Sequence, residues 1–145
     1  EGLPDIGIEV TEMRHGDVVE GEGWRVRATE VEHWPIPLSL GFLVEEDENR
    51  IFFSGDTAPC DAVRRDAGGV DLLIHEAMYF APDSGHYRSH SHPEKVGEVA
   101  HQAGAGHLVL THLQPSTRAE QLLNDATAHF PHRITMAADQ MRLVL

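Results

Sequence analysis

Residues 51–56 of this chain read IFFSGD, a short apolar run that ends in an acid, and the same pattern returns twice. Residues 71–76 read DLLIHE, and residues 107–112 read HLVLTH. Because a buried strand does not tolerate a charge inside the sheet, each polar residue is expected at the tip of its strand. In α/β proteins the carboxyl ends of the strands are where ligands and catalytic groups gather. The three runs therefore predict part of a metal site at one edge of a sheet.

Composition limits the classes of protein to consider. The chain has 145 residues, which is the size of one domain, and 41% of them are hydrophobic. No apolar run approaches the roughly 20 residues that span a bilayer, so no membrane partner is expected. The net charge of −13 disfavours a broad nucleic-acid surface, because such surfaces need clustered Lys and Arg. A single cysteine, Cys60, suits a reducing compartment and indicates the cytoplasm.

The chain begins at Glu1, and its first methionine is Met13. We therefore expect residues 1–145 to be part of a longer protein, and to form a single structural unit within it.

The order of strands and helices follows from hydrophobic periodicity and from Gly and Pro positions. The first third predicts strands only, with an acidic hairpin turn at 45–48, and from Asp56 onward strands and helices alternate. This order predicts an α/β (α+β) protein, with a mixed sheet and helices packed on one face. Predicted strands cover residues 7–13, 24–33, 40–44, 50–54, 71–74, 107–111, 133–137 and 141–145. Predicted helices cover residues 59–67 and 92–103, and a third begins near residue 119.

Three helix starts are predicted from capping residues. Thr57 is expected to cap the helix over 59–67, where Gly55 allows a tight exit from the preceding strand. Ser91 with Glu94 and Thr117 with Glu120 have the spacing of capping boxes.

Each candidate site residue also has an ordinary structural explanation. Asp56 fits a turn or helix cap, and His112 fits a strand end that bonds a backbone carbonyl. Glu76 can accept from a loop amide, and His90 can precede a helix. Together, however, they supply the imidazole nitrogens and carboxylate oxygens that zinc and similar ions bind.

Four segments in the same order resemble the later motifs of the metallo-β-lactamase superfamily. They are FSGDT at 53–57, LIHEA at 73–77, HSHPE at 90–94 and LVLTH at 108–112. They are most similar to the branch that holds ribonuclease Z and the arylsulfatase-like metal-dependent hydrolases. VEHWP at 31–35, followed by LGF at 40–42, also resembles this branch.

The resemblance implies half of a four-layered αββα sandwich, with a dinuclear metal site at its edge. It implies that Asp56 bridges both metals and that His112 is a terminal ligand of one. His90 would protonate the leaving group, and Glu76 would orient it. The cofactors implied are two divalent ions, zinc first, with manganese or iron as alternatives.

The chain departs from the family pattern in three places. The upstream His-x-His-x-Asp-His cluster and the next histidine ligand are missing, so the chain resembles the C-terminal half and is expected to be inactive alone. The ribonuclease Z forms of two motifs end in Thr where this chain has Ala77 and His92. Residues 113–115, LQP, are more similar to the arylsulfatase-like hydrolases.

Three functions are therefore left open. The first is a metal-dependent hydrolase of a small anionic phosphate or sulfate ester. The second is a ribonuclease Z-type endonuclease acting on tRNA 3′ ends, and the third is a non-catalytic interaction module. An isolated half would expose an apolar sheet face, which predicts a homodimer or a covering segment elsewhere in the protein. His33 is a candidate for lining the pocket, and the roles of His75, His86 and His92 stay open.

Overall fold

The structure is a computed structural model that describes residue 7 and residues 10–78, 88–114 and 119–145. It contains a mixed sheet of seven strands in sequential order, and three helices. The strands are β1 (Val18–Gly21), β2 (Trp24–Val31), β3 (Ser39–Glu46), β4 (Asn49–Phe53), β5 (Leu72–Glu76), β6 (His107–Thr111) and β7 (Arg133–Met136). The helices are α1 (Asp61–Asp66), α2 (Pro93–Ala103) and α3 (Ala119–Thr127). No helix in the described part of the chain has the length and apolarity needed to cross a bilayer.

The sheet changes from antiparallel to parallel at β4. Strands β1 to β4 form an antiparallel meander, and β4 to β7 are parallel. The parallel register pairs Phe53 with Ile74, Ile74 with Val109, and Val109 with Thr135. The carboxyl ends of β4, β5 and β6 therefore meet at one edge, as the three apolar runs predict.

The helices lie on one face of the sheet, which confirms the predicted fold class. Helix α2 lies between α1 and α3 and contacts β5 and β6. The face toward the helices is fully packed: Phe52, Leu73 and Leu108 have no exposed surface. Their neighbours in the strands point the other way, and Phe53 there is 42% exposed.

Two predicted strands are wrong. Residues 10–13 are not in a strand, and the first strand is Val18–Gly21 instead. This strand forms a hairpin with β2, and the chain turns at Gly23, whose φ of 79° suits the tight turn. Residues 141–145 alternate in hydrophobicity but form no strand, and Val144 is 91% exposed.

Two predicted helix caps are also wrong. Helix α2 has His92 as its N-cap, with Nδ1 accepting from the Glu94 amide at 3.3 Å, because the Ser91 hydroxyl donates to the Thr57 carbonyl instead. Helix α1 begins after Cys60 without a side-chain cap, and the Thr57 hydroxyl donates to the Ala58 carbonyl at 2.7 Å. The cap predicted at Thr117 lies outside the described residues. The stop at Gly104, with φ of 68°, is a left-handed helix end.

Candidate metal centre

Asp56 and His112 meet at the edge where the parallel strands end. Asp56 Oδ1 lies 2.9 Å from His112 Nδ1, and the two side chains are 47% and 37% exposed. Gly55 makes the turn after β4 with φ of 61°, and a Cβ there would lie 2.7 Å from the Leu40 carbonyl oxygen. Glycine is therefore required at this position, and it brings Asp56 back over the sheet edge.

His112 has an unusual backbone conformation. Its φ is 52°, in the left-handed region that non-glycine residues seldom adopt. Such positions cost about 1–3 kcal/mol and concentrate at functional sites. The residue follows β6 directly, and this conformation accompanies the approach of its ring to Asp56.

His90 completes the group from the segment before α2. Its ring packs edge-on against His112, with 5.2 Å between centroids. One ligand-type atom from each of Asp56, His90 and His112 lies within 4.8 Å of the others. The structure therefore brings together three of the four predicted site residues in one open group.

Glu76, the fourth, lies directly beneath this group and is 1% exposed. Its Oε1 accepts from the Thr57 amide at 3.1 Å, the Ser91 amide at 3.0 Å and His90 Nδ1 at 3.0 Å. Its Oε2 accepts from the Met78 amide at 3.0 Å. Burial raises the pKa of the Glu76 carboxyl to about 7, although the backbone N–H donors act to lower it. Glu76 therefore links Thr57, which follows Asp56, to His90 and Ser91.

Two hydroxyl groups hold this arrangement, and sequence reasoning missed both. Ser54 Oγ accepts from the Glu76 amide at 3.1 Å, and Ser91 Oγ donates to the Thr57 carbonyl at 2.8 Å. Both serines are buried. Ser54 lies in the motif FSGDT with Asp56, and Ser91 directly follows His90 in HSHPE. Their position within these motifs was the available signal.

The remaining histidines have separate positions. His33 packs edge-on against His90 at 4.8 Å between centroids, and its Nδ1 is 2.6 Å from the Ser89 carbonyl oxygen. His75 is fully buried on the helix side of β5, where its Nδ1 is 2.7 Å from the Glu76 carbonyl oxygen, and its Nε2 has no hydrogen-bond partner among the described residues. Burial lowers the pKa of His75 to about 4. His92 caps α2, and His86 lies outside the described residues.

The donor chemistry of the group fits part of a metal site. The ligands of a tetrahedral zinc ion lie roughly 3.3 Å apart when the bonds are about 2.0–2.1 Å. The 2.9 Å between Asp56 Oδ1 and His112 Nδ1 needs only a small side-chain rotation to reach that spacing. Even with His90 counted as a donor beside Asp56 and His112, one carboxylate and two imidazoles are fewer donors than two ions require. The described residues therefore offer part of a dinuclear ligand set.

A second group with ligand-type atoms lies on the outer side of α2 and consists of Glu94, Glu98 and His129. Lys95 Nζ donates to both carboxylate oxygens of Glu98, at 2.9 and 2.8 Å. Because an ammonium already pairs with this carboxylate, the group is less suited to a cation than the group at the sheet edge.

Comparison with known proteins identifies the family. A family model described as the beta-lactamase superfamily domain matches residues 2–113. The chain is 33% identical to ribonuclease Z of Mycobacterium sp. (strain KMS), over 94% of this chain and 52% of that protein. It is 30% identical to ribonuclease Z of Mycobacterium tuberculosis (strain H37Rv), over 94% of this chain and 54% of that protein. The chain thus spans about half the length of the curated relatives that it matches.

Solved structures share the fold. The metallo-beta-lactamase fold protein YhfI from Bacillus subtilis aligns with a TM-score of 0.78 at 22% identity, over 86% of this chain and 51% of that chain. The short form of human tRNase Z aligns with a TM-score of 0.62 at 28% identity, over 85% of this chain and 42% of that chain.

Proposed function

Because this chain belongs to the β-lactamase superfamily, we propose that the complete protein is a metal-dependent hydrolase that cleaves a small anionic phosphate ester. A phosphodiester is the preferred substrate, since the bond that a ribonuclease cleaves is a phosphodiester and the matched mycobacterial relatives are named ribonuclease Z. The observation that carries the proposal is the hydrogen bond between the buried Glu76 carboxylate and the His90 ring, beside Asp56 and His112.

The residues of this chain proposed to hold divalent metal are Asp56 and His112. Divalent ions at this position, zinc or alternatively manganese or iron, would act as Lewis acids on the ester and lower the pKa of water. The other donors are proposed to come from the part of the complete protein beyond this half. We accordingly propose that residues 1–145 alone are inactive.

His90 is proposed as the general acid. Glu76 accepts from Nδ1, which fixes the ring plane, so Nε2 is the nitrogen proposed to carry the transferable proton. During hydrolysis the bond between phosphorus and the leaving oxygen breaks, and His90 would give its proton to that oxygen. Glu76 would stabilise the positive ring before transfer and hold the ring afterwards.

The test is His90→Ala in the complete protein. We expect kcat to fall about 10²–10⁴-fold on methyl phenyl phosphate, while bound metal per chain stays unchanged. The loss should be much smaller on methyl 4-nitrophenyl phosphate, because 4-nitrophenolate leaves without a proton. His101→Ala, an exposed position on α2, is the control. An equal loss on both esters, or loss of the metal, would contradict the general-acid role.

A separate measurement tests the proposal that the metal site is divided between two halves of the complete protein. Intact mass and metal content of the protein purified from its source should give a mass well above 16.1 kDa and about two metal ions per chain. A mass of 16.1 kDa with full hydrolase activity would contradict the proposal that this chain is an inactive half.

A second candidate function is tRNA 3′ processing, favoured by the 33% identity to a ribonuclease Z. The net charge of −13 makes this chain a poor RNA-binding surface, so the RNA contacts would have to lie in the other half. This function would be favoured if a precursor tRNA is cleaved at a lower enzyme concentration than is needed to cleave methyl phenyl phosphate. An aryl sulfate in the same assay tests the sulfatase-like alternative. Both proposals include a cytoplasmic location, which we expect because Cys60 is a free, buried cysteine.

A further inference from the structure

A tryptophan is fixed beside the proposed general acid. The Trp34 amide donates to the Arg88 carbonyl at 3.2 Å, and Ser89 Oγ donates to the Trp34 carbonyl at 2.6 Å. His33, the preceding residue, packs its ring against His90. The backbone of Trp34 is therefore bound directly to the segment that carries His90, although the two are far apart in sequence.

The side chain of Trp34 is open to solvent. It is 61% exposed, and Ile36 and Leu38 on the same loop are 50% and 45% exposed. Large aromatic side chains usually bury most of their surface, so this loop presents an uncommon apolar patch. The Arg88 guanidinium lies 5.5 Å from the centre of the Trp34 ring, within cation–π distance.

Two histidine rings pack edge-on against His90. The His112 ring is 5.2 Å from it and the His33 ring 4.8 Å, measured between centroids. Asp56 and His112 are the proposed metal ligands, and the segment that carries His90 is bound to Trp34 through Arg88 and Ser89. A leaving oxygen that takes a proton from His90 must lie beside His90, so its organic group lies near this segment and the loop that carries His33 and Trp34.

We propose that Trp34 and Arg88 form a leaving-group subsite that binds a planar aromatic group attached to the leaving oxygen of the ester. The indole offers a flat π surface for stacking, and the guanidinium adds a cation that favours both aromatic rings and an anionic ester. This inference rests on the proposed function and narrows its substrate class to aryl-type phosphate esters. Hydrolysis then adds water to the phosphorus–oxygen bond and releases the aromatic alcohol and the phosphate product.

Binding is tested first, on the complete protein, by a measurement that does not depend on turnover. The indole N–H signal of Trp34 is assigned in a ¹⁵N correlation spectrum by its loss in Trp34→Phe. Titration with methyl phenyl phosphate should shift this signal to saturation, and dimethyl phosphate at equal concentration should not. The signal of Trp24, which lies at the opposite end of β2, serves as the control and should stay unchanged.

Kinetics test the same subsite independently. Trp34→Ala should raise KM for methyl phenyl phosphate about 5- to 160-fold with kcat nearly unchanged, since base–aromatic stacking is worth about 1–3 kcal/mol. KM for dimethyl phosphate should not change, and Trp34→Phe should restore most of the loss. Trp24→Ala, at a tryptophan that is 41% exposed, is the matched control.

The outcomes separate the two proposals. If the enzyme cleaves phosphodiesters but Trp34→Ala leaves KM for the aryl ester unchanged, the subsite is overturned and the hydrolase function stands. If the Trp34 signal shifts with the aryl ester but no ester is hydrolysed, the aromatic subsite stands and the proposed function is overturned.

Discussion

His75 and Glu76 are sequence neighbours that burial affects in opposite ways. Both are almost fully buried, on opposite sides of β5. Burial disfavours the charged form of each, so it lowers the pKa of His75 to about 4 and raises the pKa of Glu76 to about 7. In the part of the chain that the structure describes, four hydrogen-bond donors surround the Glu76 carboxylate, whereas His75 has one carbonyl partner. Glu76 therefore organises the candidate site through its hydrogen bonds, whereas His75 is part of the buried core.

His75 should make the protein less stable in acid. Its pKa is about 4 when folded and about 6.5 when unfolded, so between these values the unfolded chain binds more protons. Stability from neutral His75 is thus complete above pH 6.5 and is lost as the pH falls toward 4. Relative to His75→Gln, the wild-type free energy of unfolding should fall by about 1.4 kcal/mol per pH unit within that window.

Urea unfolding of both proteins at several pH values measures this difference. Glu76→Gln is the control. It removes a carboxyl group whose pKa is raised on folding, so it should change the dependence of the unfolding free energy on pH in the opposite direction. Parallel pH profiles for wild type and His75→Gln would show that His75 does not titrate as its burial requires.

The packing of α2 against α3 depends on one small residue. A Cβ on Gly97 would lie 2.6 Å from the carbonyl oxygen of Ala126 and 3.1 Å from His129 Cβ. The two helices thus approach each other closely at this point, and backbone atoms cannot yield as the end of a long side chain can. Helix α2 also carries the segment with His90 at its N-terminal side, so its position on the sheet affects the site.

Gly97→Ala should destabilise the protein by about 1–3 kcal/mol, because it overpacks this contact. Alanine is otherwise the better helix former by about 1 kcal/mol, so helix propensity alone predicts the opposite sign. Urea unfolding distinguishes the two, with His101→Ala on the exposed side of α2 as the control. A more stable Gly97→Ala protein would show that α2 and α3 are not packed this closely.

The two faces of the sheet differ across the whole molecule. The face under the helices is closed, with Leu43 and Phe52 at 2% and 0% exposure. The opposite face is only partly covered: Phe42, Ile51 and Ile74 are half-buried, and Phe53 is 42% exposed. An apolar face of this kind favours association with another surface.

The purified 145-residue chain is therefore expected to self-associate through this face. Phe53→Glu should shift sedimentation velocity profiles toward the monomer, because it places a charge at the centre of the apolar face. Val144→Glu, at a residue that is 91% exposed and outside the sheet, should leave association unchanged. A wild-type chain that is monomeric at all concentrations would contradict the prediction of an uncovered face.

The amino-acid sequence by itself determined the order of most strands and helices and the position of the candidate site residues Asp56, Glu76 and His112 at the strand tips. These depend on local features: apolar runs of four or five residues, the turn at Gly55, and the helix end at Gly104. It failed at residues 7–13 and 141–145, where the apolar pattern is present but no strand forms in the described residues. A strand needs a partner, and local periodicity does not show whether one is available.

Only the tertiary structure decided how the site is held together. Glu76 accepts from residues 14 to 19 positions away in sequence, and Trp34 is tied to Ser89 across 55 positions. Ser91 and Thr57, both good helix caps by type, bond across loops instead of capping α2 and α1. Side-chain hydroxyl and carboxylate groups accept whichever donors folding brings near, so their partners follow from the packed chain rather than from local sequence.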